Sequence, residues 1–414
     1  NVQLEDGTPC GDDGDSHCIE GSCVTVLQDC EDLLSGPVQW FESPVGVAWA
    51  GTFEFGQTQV VAPDDPRLAP PIVQDREALL LFTPAEEILP ETEVRIAAFR
   101  GEELLGAIVA RTPDKLPPAL EQQLTSSSLE PYSTEAWSGF LPWDWVMENV
   151  EIRIGYEQEG ELRQSVHVMS NLGAPQRLTF SRAKIVLYAD DDHGLDTRTM
   201  EAGKLARDMY AATPVAGLRV VDGTDWVLDY IVAGTPPQRV YSSEEYEEVT
   251  DGADRWQILK NQFTLRMNTA NTGRGLWRTS GGADGSPYSF GTSIGMGWIR
   301  NADGSFSDIN NSPYAAGWTG WTALWLGECG NVVPHELGHS CTLIRSTEGT
   351  ASRWGIFDEY PKDGTHRPTH RRGFDNVRRM FRTWYRVDGS GVVFDEQGEI
   401  QGKRDPMNGG EPSN

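Results

Sequence analysis

Short apolar runs, interrupted by glycine, proline or charged residues, dominate the first half of the chain. The runs at residues 45–50, 78–82 and 93–99 are rich in strand-forming residues and are separated by turn-forming ones. This pattern predicts strands, and we expect a β-sandwich-like domain over residues 34–118. A proline-marked connection then leads to a second β-rich stretch over residues 119–188, in which apolar and polar positions alternate.

The apolar spacing changes to a helical period after the β-rich half. Residues 197–212 place apolar side chains about one helical turn apart and are followed by Pro214, which predicts an amphipathic helix with a defined end. Residues 254–270 repeat the pattern and predict a second helix. We interpret both stripes as core faces; they consist of Met200, Leu205, Met209 and Tyr210 in the first helix and of Trp256, Leu259, Phe263 and Met267 in the second.

The first 33 residues form a leader that is rich in cysteine and poor in apolar residues. Because such a segment cannot build a core, we expect its four cysteines to form disulfides, in one of three possible pairings. A zinc knuckle is the rival interpretation, but the ligand spacing does not fit it. The candidates are Cys10, Cys18, Cys23 and Cys30.

Composition narrows the class of protein. The chain has 414 residues, which favours several domains, and its formal net charge of -28 disfavours nucleic acid and anionic membranes as partners. No apolar run approaches the roughly 20 residues of a membrane span. The chain begins with Asn1 rather than Met, and together with the cysteines this predicts a mature secreted protein.

The acidic runs at residues 12–15 and 190–192 are candidate calcium ligands, although neither fits the helix-loop-helix calcium pattern.

The strongest chemical signal is the segment His335-Glu336-Leu337-Gly338-His339. In a helix, positions four residues apart lie on one face, so both imidazoles can bind one metal ion. Imidazole ligands in an open tetrahedral site favour zinc. Glu336 would then take the proton from a metal-bound water, as a general base, while the ion polarises a scissile carbonyl.

A third zinc ligand is required, and the residues leave several candidates open. Metzincins place it six residues after the second histidine, where this chain has Arg345, which cannot bind zinc. Asp358 or Glu359 is one alternative, because carboxylates are ordinary zinc ligands. The others are His366, His370 and, in a polar segment, Glu348. Cys329 and Cys341 flank the motif but are too far apart along a helix for a direct disulfide.

With these residues in hand, the chain resembles the StcE/TagA-like family of secreted bacterial zinc metalloproteases that cleave mucin-type glycoproteins. The resemblance runs from about residue 118 to the end. It rests on the ordered segments YSTEAWS at 132–138, LPW at 141–143, LGAP at 172–175, TPVAGL at 213–218 and NTANTG at 268–273, then the zinc motif and DPMNGG at 405–410. The resemblance implies zinc binding by His335 and His339, Glu336 as general base, and a Met-containing turn formed by Met407. Arg345 departs from the family, which has a histidine there.

The expected fold class is multidomain α+β. It comprises the Cys-rich leader at 1–33, the β-sandwich-like domain at 34–118 and an StcE-like metallopeptidase region at 119–414, whose zincin-like α/β catalytic part begins at 189. We expect a secreted, monomeric bacterial zinc endopeptidase acting on proteins or glycoproteins, including mucin-type O-glycoproteins. The alternative is an inactive pseudoprotease that binds glycoproteins or carbohydrate through the Trp-rich segment at 272–330. A hydrolase of small amides or esters is a third interpretation.

Overall fold

The computed structural model describes residues 16–19, 22–25, 47–63, 72–86, 88–89, 91–190, 202–222, 226–250, 289–301, 303–308, 322–325, 373–383 and 385–401. Strands account for most of its regular structure. In chain order they are β1 (Ser16–Ile19), β2 (Ser22–Thr25), β3 (Val47–Ala48), β4 (Gly51–Gly56), β5 (Val60–Val61), β6 (Ala78–Pro84), β7 (Arg95–Arg100), β8 (Glu103–Val109), β9 (Trp137–Leu141), β10 (Val150–Gln158), β11 (Glu161–Val168), β12 (Arg177–Leu187), β13 (Gly217–Asp222), β14 (Trp226–Leu228), β15 (Ile231–Ala233), β16 (Gln238–Val240), β17 (Ser289–Arg300), β18 (Phe306–Asp308), β19 (Thr322–Trp325), β20 (Gly373–Asp375), β21 (Met380–Arg382), β22 (Val387–Asp388) and β23 (Gly391–Val392). The α-helices of the described residues are α1 (Ala202–Ala212) and α2 (Ser243–Val249).

Two sheets face each other across one hydrophobic core. The first has the strand order β3-β11-β10-β7-β8, and the second has the order β5-β4-β6-β9. Side chains from both sheets meet in a single buried cluster that includes Phe82, Trp137, Ile96 and Ile152. Gly139 in β9 permits the close approach, because a Cβ there would lie 2.5 Å from Cδ1 of Ile96.

Strand β6 lies at the centre of the second sheet and is covered on both faces. Its residues Ala78 to Phe82 are all 0% exposed, and they divide between two buried clusters, one on each side of the sheet. Strands buried on both faces lose the apolar and polar alternation and become continuous apolar runs. This double burial explains the uninterrupted sequence Ala-Leu-Leu-Leu-Phe.

A third, mixed sheet contains the first α/β unit. Strands β13, β12 and β17 are mutually parallel neighbours, β14 and β19 add parallel to β12 and β17, and β18 is antiparallel to β17. Helix α1 connects β12 to the parallel strand β13, because parallel neighbours require such a crossover. The structure is therefore mostly strands in several sheets with few helices.

Several predicted elements are confirmed by the structure. β6, β7 and β10 lie where the sequence predicts strands, and α1 ends at Ala212, as predicted from Pro214. The described part of this helix begins at Ala202, and the second predicted helix, at residues 254–270, lies outside the described residues.

The sheets continue across residue 118. β9 pairs with β6, and β10 pairs with β7, so strands from both sides of this predicted boundary share each sandwich sheet. The mixed sheet also begins with β12, ahead of the expected start of the catalytic part at residue 189. The division into leader, sandwich-like domain and peptidase region stays a prediction.

The first turn of helix α2 is capped by side chains. The Ser242 hydroxyl accepts a hydrogen bond from the Glu245 amide at 3.1 Å, and the Glu245 carboxylate accepts one from the Tyr241 amide at 2.7 Å. We expect Ser242→Ala to lower the free energy of unfolding by about 1 kcal/mol, because the first turn loses its cap. Urea denaturation would measure the loss. Ser242→Asn retains an acceptor and is the control; equal losses in both variants would contradict the capping role.

Candidate functional site

The residues of the predicted zinc site lie outside the described part of the chain. They are His335, Glu336, His339, Arg345, Asp358, Glu359, His366, His370 and Met407. Of the leader cysteines, Cys18 lies in β1 and Cys23 in β2, whereas Cys10 and Cys30 lie outside the described residues. The structure therefore describes the elements that precede and follow the motif, and the assignments of the ligands stay predictions.

The mixed sheet contains the last described strand ahead of the motif in the sequence. β19 is parallel to β17, which is parallel to β12. The carboxyl ends of parallel strands lie at one edge of a sheet, where open α/β sheets bind ligands. β19 ends at Trp325, ten positions before His335 in the sequence. The carboxyl end of β19 therefore lies at that edge of the sheet.

After the motif, the chain is described again at β20 and β21, which pack on the outer face of the second sandwich sheet. Phe374 and Phe381 are 0% and 1% exposed and share a buried cluster with Leu79 and Leu81 of β6. The Phe381 ring stacks on Tyr132 with a centroid distance of 4.6 Å. The strand pair is therefore fixed to the sandwich by apolar contacts on a face that β6 supplies.

A buried carboxylate holds the turn between β20 and β21. Asp375 is 0% exposed, and its Oδ2 lies 2.8 Å from Nη1 of Arg378 and 3.4 Å from Nη2 of Arg382. Its Oδ1 accepts hydrogen bonds from the amides of Val377 and Arg378. Pairing with two guanidinium groups and two amides offsets the cost of burying this charge.

The turn between β20 and β21 is also bound to the sandwich by a bidentate ion pair. Nε and Nη2 of Arg379 each donate to a different carboxylate oxygen of Glu77, both at 3.0 Å. The Arg379 guanidinium also lies 4.5 Å from the centroid of the Phe140 ring. Burial raises the pKa of Glu77, and the charge of Arg379 opposes that rise. The pair joins residues that are 302 positions apart in the chain.

Arg76, the neighbour of Glu77, binds the carboxyl end of α1. Its Nη1 donates to the carbonyls of Thr213 and Val215 at 2.5 and 3.0 Å, and its Nη2 donates to the Tyr210 carbonyl at 2.7 Å. The guanidinium lies 4.1 Å from the Tyr210 ring centroid. A cation suits this position because the last carbonyls of a helix lack partners and carry partial negative charge.

Burial shifts the pKa values of Arg76 and Tyr210. Arg76 is 0% exposed, and burial lowers its pKa, while the Tyr210 hydroxyl, Asp375 and Glu77 act in the opposite direction. Burial raises the pKa of Tyr210. We interpret the cluster as an anchor between the sandwich and the mixed sheet, because the Arg76 guanidinium binds three backbone carbonyls, with only its Nε lacking a hydrogen-bond partner among the described residues, and Glu77 and Asp375 pair with guanidinium groups.

The pKa values of several other groups are shifted by burial or by hydrogen bonds from neighbouring residues. Burial raises the pKa of Tyr246 to about 12 and also raises the pKa of Tyr188, which lies just after β12. Hydrogen bonds from Ser305 and Ser390 lower the pKa values of Asp303 and Asp388 in exposed turns. Among the described residues, no group of three or more His, Cys, Asp or Glu is arranged to hold a metal ion.

The acidic calcium candidates gain no support. Asp190 is the one member of the two runs that the structure describes, and its side chain is 81% exposed and lies 3.7 Å from Arg300. No helix within the described residues is long and apolar enough to cross a membrane.

Sequence reasoning missed the cluster of Arg76, Glu77, Asp375 and Arg379. Its members lie in two segments about 300 positions apart, and neither segment carries a motif. The available signal was weak: an Arg-Glu pair directly ahead of a continuous apolar strand is an unusual place for two charges. The pattern alone could not name the partners.

Comparisons with known proteins identify the larger region. A family model described as Peptidase M66 matches residues 126–414. The ToxR-activated gene A lipoprotein of the Vibrio cholerae O1 classical Ogawa strain is 22% identical over 267 residues, which cover 62% of this chain and 26% of that protein. Its counterpart in the El Tor Inaba strain is 23% identical over 270 residues, with the same two shares. The chain thus spans about a quarter of the length of these relatives.

Proposed function

Because the chain belongs to the peptidase M66 family, which confirms the StcE/TagA-like resemblance of its motifs, we propose that it is a zinc-dependent endopeptidase. One observation carries the proposal: the family match over residues 126–414 contains the segment His335-Glu336-Leu337-Gly338-His339. The position of this short motif within the matched region supports a functional role for it over a chance occurrence. The mixed sheet, whose strand β19 ends ten positions before the motif in the sequence, supports an α/β catalytic part.

The donor set fits zinc, because two imidazoles four positions apart and a carboxylate are its ordinary ligands. His335 and His339 would hold the ion, with a third ligand from Asp358, Glu359, His366 or His370 in place of Arg345. Bound zinc would supply a Lewis acid for the scissile carbonyl. Glu336 would accept the proton of the attacking water and return it to the departing amine, as a general base and then a general acid.

The metal content tests this assignment. We expect about one zinc per chain in protein purified without added metal, measured by inductively coupled plasma mass spectrometry, because a three-ligand catalytic site binds one ion. His335→Ala and His339→Ala should each lose most of it, whereas His193→Ala, outside the motif, is the control. Ortho-phenanthroline should abolish proteolysis, and its non-chelating meta isomer should not. Zinc-free wild-type protein would overturn the proposal.

The same measurement can assign the third ligand. Separate Asp358→Asn, Glu359→Gln, His366→Ala and His370→Ala variants should include one that loses zinc as completely as His335→Ala. Retention of zinc in all four variants would show that the third ligand is another residue.

The substrate and location rest on the relatives. We propose secretion and action on extracellular proteins or glycoproteins, including mucin-type O-glycoproteins, because the resemblance is to secreted mucin-cleaving enzymes and the matched relatives are described as lipoproteins. A comparison of a densely O-glycosylated protein with its enzymatically deglycosylated form would test the preference. Equal cleavage of the two forms would argue for a general endopeptidase. The monomeric state stays a prediction.

Arg345 favours a second candidate, a pseudoprotease that binds glycoproteins without cutting them. A cationic guanidinium at the position of the expected ligand cannot bind zinc and would repel it. This candidate requires protein that is free of zinc and inactive but still retains a glycoprotein on an affinity column. Stoichiometric zinc together with proteolysis would exclude it.

A further inference from the structure

The Cys-rich leader contains one described element, an antiparallel hairpin of β1 and β2. Its register pairs Ser16 with Thr25, His17 with Val24, Cys18 with Cys23, and Ile19 with Ser22. Two residues separate the strands in the sequence. The sequence left three pairings of the four leader cysteines open, and the register places two of the four directly opposite each other.

The position of this pair in the ladder suits a covalent bond. In a hairpin with a two-residue connection, the pair beside the connection exchanges both backbone hydrogen bonds, and the next pair outward does not. The pair of Cys18 and Cys23 is that next pair. Opposed Cα atoms in such pairs lie about 4.5 Å apart, within the range of roughly 4.4 to 6.8 Å that disulfides span. Directly opposed residues also share one face of the ladder.

We propose that Cys18 and Cys23 form a cross-strand disulfide in β1 and β2 and that Cys10 pairs with Cys30. The second bond follows by elimination, because Cys10 and Cys30 are the two leader cysteines that remain once Cys18 and Cys23 are joined. The two other pairings would join Cys18 to Cys10 or to Cys30 and leave it unbonded to the residue that faces it. The Cys18–Cys23 bridge then lies inside the Cys10–Cys30 bridge in the sequence.

Each bridge forms by a two-electron oxidation. Two thiols lose two protons and two electrons as the sulfur-sulfur bond forms, and the disulfide of a thiol-disulfide oxidoreductase in the export compartment accepts them and becomes a dithiol. This step rests on the secretion included in the proposed function, since cytosolic thiols are kept reduced. It does not depend on zinc or on proteolysis.

Peptide mapping of the full-length secreted protein tests the pairing. Free thiols are alkylated at acidic pH to prevent exchange, and the unreduced protein is cleaved after Glu and before Asp. The sequence then places each leader cysteine on its own peptide: Cys10 on 6–11, Cys18 on 15–20, Cys23 on 21–28 and Cys30 on 29–31. Mass spectrometry should find 15–20 linked to 21–28 and 6–11 linked to 29–31, each product lighter by two hydrogens than its separate peptides.

The other outcomes overturn the proposal. Links between 6–11 and 15–20, or between 6–11 and 21–28, would establish a different pairing while leaving the secretion intact. Four alkylated thiols in protein collected from the medium would show that the leader is reduced. As an independent check, Cys18→Ser should release one alkylatable thiol, at Cys23, and preserve the link between Cys10 and Cys30. The proteolytic assay of the same samples reports separately on the proposed function.

Discussion

Replacement of Glu336 by Gln is expected to lower kcat for protein hydrolysis by about 10² to 10⁴-fold while zinc remains bound. The amide is almost the same size as the carboxylate, but it cannot take a proton from the attacking water. His335 and His339 are unchanged, so the metal content should stay at the wild-type level. Proteolysis of casein and of an O-glycosylated protein, combined with metal analysis of the same sample, measures both quantities.

Two controls make this result decisive. Glu248→Gln changes an exposed carboxylate of α2, outside the motif and the candidate ligands, and should leave kcat within about 2-fold of wild type. The thermal midpoint of Glu336→Gln should match that of wild type, which excludes unfolding as the cause. Undiminished cleavage by Glu336→Gln would remove Glu336 as general base.

Substitution of Arg76 by Met should have the largest effect on stability, a loss of about 2 to 5 kcal/mol in the free energy of unfolding. Three backbone carbonyls at the end of α1 would lose a charged donor inside the protein, where no water replaces it. Met occupies a similar volume, so the loss reports mainly on the hydrogen bonds and the charge. Urea denaturation followed by fluorescence measures the change.

Arg219→Met is the matched control, because Arg219 is exposed in β13, and it should change stability by less than about 0.5 kcal/mol. Arg76→Lys keeps the charge but not the planar fork, and it should fall between the two. If Arg76→Met and Arg219→Met were equally stable, the anchoring role of Arg76 would be wrong.

The local elements of the fold were predictable because their signals lie within a few residues. The apolar run at 78–82 and the alternation at 150–155 identify β6 and β10, and Pro214 identifies the end of α1. Pairing was not predictable in the same way. The neighbours of β6 and the partners of Glu77 depend on residues far along the chain, and apolar patterning carries no information about which strands meet.

The predicted zinc site likewise has a part that local sequence identifies and a part that depends on residues farther along the chain. His335, Glu336 and His339 are recognisable because a spacing of four positions would place both histidines on one face of the predicted helix, and the family match supports the peptidase assignment. The predicted third ligand would come from beyond this segment. Its position depends on the path of the intervening chain rather than on a fixed spacing, and Arg345 removes the spacing that the family would supply.

The sheet pairing across residue 118 determines where the polypeptide can be divided. A fragment starting at residue 126, the first position of the family match, would retain β9, β10 and β11 but discard β6, β7 and β3, to which they are hydrogen-bonded. The retained strands β9, β10 and β11 would expose unpaired edges that favour aggregation. Helix α1 would lose the Arg76 guanidinium that binds its end. A fragment that keeps these pairings must therefore begin ahead of β3, so the region that matches the family and the folding unit of this chain begin at different residues.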